Sequence, residues 1–251
     1  ESILNPKLYW QKNVLGTINL LEIMEKNECL NLVYSSSATI YDSKKISFFN
    51  EDAKIKPINP YGNTKFVVEK FLEDLYKSAK KSWKFASLRY FNPIGAHKSG
   101  LIGENPKGLP NNIFPLITNT AIGEHKTFKI YGNDWPTKDG TPIRDYIHVM
   151  DLAESHIKVL EYLINQKSAY FNLNVGTGSG TSVLELINIF EKVNNIKVPY
   201  IFSKRRPGDA CSVIADNSLL KSKFNIIPKR TIEDMCKDGW KWKRLNPKGY
   251  T

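Results

Sequence analysis

Leu30-Asn31-Leu32-Val33-Tyr34-Ser35-Ser36-Ser37-Ala38-Thr39 decides how this chain is read, together with Asn59-Pro60-Tyr61-Gly62-Asn63-Thr64-Lys65 some two dozen residues on. The first stretch is an apolar run that ends on hydroxyls. It predicts a buried strand, and functional residues gather where strands of an open α/β sheet end. In the second, Asn59-Pro60 reads as an extended entry into a helix. Val67, Val68, Phe71, Leu72 and Leu75 then continue as an apolar stripe at helical spacing. Four helical positions apart, Tyr61 and Lys65 lie one above the other on one face. A phenol, an ammonium and the strand-end hydroxyl of Ser37 make a proton-handling centre. The Tyr-x-x-x-Lys spacing alone is not specific, because Tyr41/Lys45, Tyr76/Lys80 and Tyr200/Lys204 repeat it. Only Tyr61 has both the helix entry and the strand end beside it.

Outward from this pair the chain keeps one rhythm. Residues 6–26 carry Leu8, Leu15, Ile18, Leu21 and Met24 near helical spacing, and Lys84 to Tyr90 reads as a second strand. Helix, strand, helix, strand is the order of a parallel sheet with crossover helices. Residues 91–115, rich in Asn, Gly and Pro, read as an ordered binding loop. Short strands are expected at Phe128–Tyr131, at 144–149 and at Tyr170–Val175, with Asp151 capping the helix that follows the second. Ser182-x-x-Glu185 is a capping box. A last helix, about 231–244, carries Trp240 and Trp242 as packing residues. Gly176-Thr177-Gly178-Ser179-Gly180-Thr181 imitates a dinucleotide loop, but Thr181 stands where the fingerprint needs Gly or Ala. It reads as a Gly-rich turn feeding a capped helix.

Composition narrows the classes. At 251 residues and 41% hydrophobic content the chain can bury a real core, in one large domain or two small ones. The net charge of +11 comes from 30 lysines and 6 arginines. No basic run is interleaved with aromatics and no nucleic-acid motif is present, which argues against nucleic acid as partner. A nucleoside-diphosphate ligand would need only a few of these charges. Cys29, Cys211 and Cys236 include no Cys-x-x-Cys, which points to a reducing compartment with neither a disulfide frame nor a zinc site. His97, His125, His148 and His156 lack metal-ligand spacing, so no metal is expected, and His148 reads as a packed residue in an apolar stretch. No apolar stretch nears twenty residues and no signal peptide is visible, so a cytoplasmic protein without a membrane span is expected.

Six motifs in order resemble the UDP-galactose (UDP-glucose) 4-epimerases, a branch of the extended short-chain dehydrogenase/reductase family. They are Ser-Ser-Ser-Ala-Thr (35–39), Pro-Tyr-Gly-Asn-Thr-Lys (60–65), Arg-Tyr-Phe-Asn-Pro-Ile-Gly-Ala-His (89–97), Pro-Asn-Asn (110–112), Arg-Asp-Tyr-Ile-His-Val-Met-Asp-Leu-Ala (144–153) and Arg-Pro-Gly-Asp (206–209). The resemblance covers essentially the whole chain. It implies an α/β fold, a truncated Rossmann-like parallel sheet with a smaller mixed α/β substrate-binding domain. The C-terminal half of the NAD-binding domain would occupy 1–92 and the substrate domain 93–251, with about 144–176 returning to the sheet. Family members begin with a strand, a Gly-x-x-Gly-x-x-Gly loop and an acidic residue. This sequence opens at Glu1-Ser2 without them, so it is expected to be a piece of a longer protein whose other part holds the cofactor pyrophosphate. By itself it is expected to hold the dinucleotide weakly.

The resemblance also implies a mechanism and a cofactor, NAD. Tyr61 would be the base on the carbon-4 hydroxyl of a UDP-hexose. An isolated tyrosine titrates near about 10; Lys65, with the positive nicotinamide, would favour the phenolate, and Lys65 would also hold the nicotinamide ribose. Ser37 would hydrogen-bond the reacting hydroxyl. Hydride passes to NAD and returns to the other face of a 4-keto sugar, inverting carbon 4 in galactose metabolism. Asn13 and Phe91 are expected near the cofactor, and Asn92, Asn112, Arg144, Arg206 and Asp209 around the uridine diphosphate, with Tyr131 stacked on uracil. Val213 falls where a bulky residue would narrow the sugar pocket, which implies tolerance of UDP-N-acetyl sugars. A homodimer through the helices near 6–26 and 61–80 is also implied. The alternatives are other UDP-sugar epimerases acting on UDP-N-acetylglucosamine or UDP-glucuronate, and a non-catalytic binding module. A 4,6-dehydratase would carry Thr-Asp-Glu where Ser37-Ala38-Thr39 stands.

Overall fold

A computed structural model describes residues 1–43, 47–78, 80–108 and 110–250. In chain order its elements are α1 (Pro6–Tyr9), a π-helical segment (Trp10–Leu15), α2 (Gly16–Lys26), β1 (Asn31–Ser37), β2 (Phe48–Phe49), α3 (Pro60–Lys77), β3 (Lys84–Tyr90) and β4 (Asn92–Ile94). There follow α4 (Ile113–Ala121), β5 (Phe128–Tyr131), β6 (Ile143–Arg144), β7 (Tyr146–His148), α5 (Val149–Ile164), β8 (Ala169–Val175) and β9 (Thr181–Ser182). The chain closes with α6 (Val183–Asn194), β10 (Tyr200–Ser203), β11 (Ser212–Ala215), α7 (Ser218–Phe224) and α8 (Ile232–Leu245). The chain divides into two compact units. One takes residues 1–91, 154–175 and 215–227, and the other 92–153, 176–214 and 228–251.

The first unit is built on a parallel sheet of order β1-β3-β8. Registers Leu32↔Phe85↔Tyr170 and Ser36↔Arg89↔Asn174 show that successive rows run straight across all three strands. On one face Tyr34 and Phe85 pack with Leu21, Val68, Leu72 and Trp83. Side chains as buried as Leu72 each contribute about 1.5–3 kcal/mol through the hydrophobic effect. Helix α3 is set by its first residues. The Asn59 side chain accepts from Gly62 N at 2.8 Å, and Pro60 supplies a pre-bent first helical position. Gly62 allows the close approach that follows. A Cβ there would lie 2.9 Å from both Pro57 Cβ and the Thr39 carbonyl oxygen, so only glycine lets the helix start rest on the segment after β1.

The second unit holds its core between α4, α6, α8 and the strands β5 and β7. Phe114, Ile117, Phe128, Tyr146, Leu186, Phe190 and Trp240 meet there. The capping boxes at Ser182/Glu185 and Thr231/Asp234 start α6 and α8. Trp240 and Trp242 are buried, as the periodicity predicts.

Four expectations change in detail. The loop of 91–115 contains strand β4 and ends in α4, because Asn92–Ile94 finds a parallel partner in β7. The single strand of 144–149 is two strands, with the buried Asp145 between them. Asp151 is not a cap. Helix α5 already begins at Val149, and the Asp151 carboxylate is taken by Arg230 and by the backbone N–H groups of Lys229 and Arg230. The helix over 6–26 carries a π-helical turn in its middle. Among the described residues no helix is long and apolar enough to cross a membrane.

Candidate active site

The end of β1 and the start of α3 bring Ser37, Tyr61 and Lys65 together in the first unit. Ser37 is buried at the last position of β1, and its Oγ accepts from Thr39 N at 3.2 Å and Thr39 Oγ1 at 3.0 Å. Its hydroxyl stands near the Tyr61 phenol and favours its ionised form. Lys65 Nζ donates to the Ser35 carbonyl at 2.8 Å and lies 5.6 Å from the Tyr61 ring centre and 5.1 Å from that of Tyr34. The rival pairs have other occupations. Tyr41 donates to Asn174 Oδ1, Tyr76 stacks on Tyr170 and Tyr200 packs against Phe202, while Lys45 lies outside the described residues.

Burial raises the Tyr61 phenol, the neighbouring Tyr90 adds to this, the Ser37 hydroxyl opposes it, and Tyr9 raises it further. Burial also lowers the Lys65 ammonium. Lys65 therefore does not bring the phenolate into reach unaided. Desolvation penalises both charged forms and leaves room for a further positive charge to act. Lys65 has a backbone carbonyl for partner, and among the described residues no carboxylate pairs with it. Its remaining N–H donors suit the vicinal hydroxyls of a ribose.

Asn13 sits in the π-helical turn, a feature common at functional positions. Its Nδ2 donates to Thr64 Oγ1 at 2.9 Å and ties that turn to α3, while Tyr9 meets Tyr61 edge-on at 6.1 Å. Phe91 closes the unit, buried, with its N–H on the Val175 carbonyl.

In the second unit a cationic cluster forms around Asp209. Arg206 Nε donates to its Oδ2 at 3.1 Å, and Arg144 Nη2 stands 3.7 Å from Oδ1. Arg144 Nη1 is held by the carbonyls of Ile143 and Ala210, at 2.8 and 2.9 Å. Burial lowers the Arg144 guanidinium and Asp209 opposes the shift. Arg206 stacks on the Tyr131 ring at 4.6 Å, and Val213 pairs in register with Arg144. Asn92 opens β4 with its N–H on the Asp145 carbonyl. Asn112 makes no bond to this cluster and donates instead to Glu104 at 2.7 Å. The imitation loop is explained as well. Asp145 accepts from Thr177 N, Thr177 Oγ1 and Gly178 N at 2.7–3.0 Å, so the amides of that turn are engaged by a carboxylate.

Residues 1–239 match the GDP-mannose 4,6 dehydratase family model. UDP-glucose 4-epimerase 4 of Oryza sativa subsp. japonica is 47% identical over 250 residues, covering 100% of this chain and 68% of that protein. UDP-glucose 4-epimerase of Bacillus subtilis is also 47% identical, with 100% and 73% covered. The chain belongs to the UDP-glucose 4-epimerase family. Its parallel sheet is the Rossmann-like sheet of that family. The epimerase of Stenotrophomonas maltophila, solved with NAD and formylated UDP-arabinopyranose, superposes with TM-score 0.95 at 42% identity over 99% of this chain and 73% of that one. The UDP-Glc/GlcNAc 4-epimerase of Campylobacter jejuni gives 0.81 at 32% identity, covering 98% and 74%.

The motifs do not reveal a buried polar network behind the centre. Glu69, on α3, binds Arg89 of β3 and Ser36 of β1, and Arg89 reaches on to Tyr41. The available signal is a carboxylate placed on the apolar stripe of α3 and a guanidinium next to the last residue of an apolar strand.

Proposed function

We propose that Tyr61 is the proton-transferring base and Ser37 its partner on the sugar in the NAD-dependent 4-epimerisation of a UDP-hexose, the activity of this family. The observation that carries the assignment is the convergence of the Tyr61 phenol, the Ser37 hydroxyl and an ammonium with no carboxylate partner among the described residues in one place, Ser37 buried and the other two half-buried. Tyr61 takes the proton of the carbon-4 hydroxyl, Ser37 holds that oxygen, and Lys65 holds the ribose next to the nicotinamide. When bound, NAD accepts the carbon-4 hydride and returns it, and its positive ring adds to the pull of Lys65 on the phenol. Asn13 and Phe91 line the cofactor side. Arg144 and Arg206 bind the diphosphate through their forked donors. Asp209 orients both guanidiniums and accepts from the ribose, Tyr131 stacks on the uracil, and Asn92 and Asn112 complete the nucleotide's polar contacts.

The test is conversion of UDP-galactose to UDP-glucose by the NAD-loaded protein. Tyr61→Phe is expected to lower kcat by about 100-fold or more. A folded Tyr61→Phe protein turning over at the original rate removes Tyr61 from this role.

Val213 is read as the residue that sets sugar size. It is half-buried beside Arg144 and small enough to admit an N-acetyl group. Val213→Tyr is expected to abolish turnover of UDP-N-acetylgalactosamine while sparing UDP-galactose. Equal effects on both sugars would refute it. We also read the protein as a cytoplasmic homodimer.

A further inference from the structure

The ion pair behind the centre is almost wholly cut off from water. Glu69 and Arg89 are each 2% exposed, and burying two charges costs more desolvation than their attraction readily returns. Arg89 engages the carboxylate with two nitrogens, Nη2 to Oε2 at 2.7 Å and Nε to Oε1 at 3.0 Å, and Ser36 Oγ adds a bond to Oε1 at 2.5 Å. Two features of position stand out. Ser36 immediately precedes Ser37, and its register partner across the sheet is Arg89. Glu69 lies four residues after Lys65 on α3, the spacing at which a lysine and a glutamate ordinarily pair. Here they do not, for Lys65 turns to the Ser35 carbonyl and Glu69 to Arg89.

We infer that Glu69 and Arg89 are positioning residues for the Ser37–Tyr61–Lys65 centre. Their pair fastens α3 to β3, the Ser36 hydroxyl on Glu69 ties both to β1, the strand that delivers Ser37, and Arg89, by occupying the carboxylate, keeps Glu69 from drawing Lys65 away from Tyr61. The guanidinium is well matched to this task. Burial works against its charge, but the hydrogen bonds and charge of Glu69 hold it above the ordinary arginine range, so it stays protonated throughout the working range. The titratable and charged groups facing Tyr61 are Lys65 on its own helix, Tyr34 on β1, Tyr90 on β3 and Tyr9 on α1. Those facing Glu69 are Arg89 on β3, Tyr34 on β1, Tyr170 on β8 and Tyr41. Arg89 is thus the one cation bonded to Glu69 among the described residues, and its removal leaves Lys65 as the nearest substitute on the same helix face.

This inference rests on Tyr61 being the base, and the test separates the two. The Tyr61 phenol is titrated by the carbon-13 shift of its Cζ in tyrosine-labelled, NAD-loaded protein, with Tyr61→Phe giving the assignment. Arg89→Met is expected to raise the midpoint by about one pH unit and to move the acid limb of the kcat profile by the same amount. The double variant Arg89→Met/Glu69→Gln is expected to return both to the original values. A purely structural role requires the reverse, since the double variant lacks both halves of the fastening and would be disturbed at least as much. An unmoved midpoint in folded Arg89→Met, or a midpoint still raised in the double variant, overturns the inference. If Arg89→Met does not fold, Glu69→Gln decides: a midpoint unchanged or lowered supports the inference, and a raised one overturns it. Unimpaired turnover by Tyr61→Phe would overturn the assignment of the base, while the titration would still judge Arg89.

Discussion

Tyr61 shows how a buried centre depends on its neighbours one residue at a time. Its phenol, raised by burial, is brought into use only by the charges and donors set around it. His148 shows the same physics without catalysis. It is fully buried, its Nδ1 accepts from Met150 N, and its Nε2 faces Asp238 at 3.3 Å, so the neutral imidazole is the form that fits. Burial lowers it below 6.5, with the Asp238 hydrogen bond opposing. A lowered histidine leaves stability intact above the unfolded value and erodes it as pH falls from there toward the folded one. The melting temperature is therefore expected to drop as pH goes from 7.5 to 5, and His148→Gln to flatten that drop. A parallel slope in the variant would show that other groups set it. The spacing of Tyr61 and Lys65 was legible in the sequence because four helical positions bring side chains together whatever the tertiary context. Glu69 and Arg89 were not, since charge normally marks a solvated position and nothing local says that these two, 20 positions apart, meet.

At the scale of elements, what matters is how closely the start of α3 rests on the segment after β1. Replacing Gly62 by alanine gains helix propensity worth about 1 kcal/mol. It also forces a methyl to within 2.9 Å of a backbone oxygen and a proline, overpacking that costs about 1–3 kcal/mol. Gly62→Ala is expected to lower the urea midpoint and, by shifting Thr39 and with it Ser37, to lower kcat more than KM rises. An unchanged midpoint and unchanged kcat would mean that the loop gives way freely. Long periodic elements such as α3, β3 and α6 could be read from sequence, as could the capping boxes, because each signal is contained in the element itself. Strand β4 could not. Its three residues, Asn92–Ile94, are a strand only because β7 lies beside them, more than fifty positions later. The division of 144–149 was hidden for the same reason, since the buried Asp145 takes donors from the turn at Thr177–Gly178, more than thirty positions on.

At the scale of the whole molecule, the helical segment of 6–26 leaves Leu8, Leu15, Leu20 and Ile23 between 44% and 58% exposed. Exposed apolar side chains recurring along one helical segment suit a contact with another chain. Pairing of two copies through this segment is the expected use. Light scattering should give twice the mass of a single chain for the parent protein and the single mass for Leu20→Glu/Ile23→Glu. A parent protein that stays monomeric at micromolar concentration would exclude it. The order of assembly follows from another feature, the interleaving of the two units along the chain. Strand β8 closes the β1-β3-β8 sheet, yet it is made about eighty residues after β3 ends. At ordinary ribosome speeds that gap lasts about 4–16 s. For that interval the nascent chain presents β3 with one neighbour and Arg89 without its Asn174 row partner. Newborn copies are thus most vulnerable to chaperone capture, and to pairing wrongly with one another, while residues 92–168 are being translated.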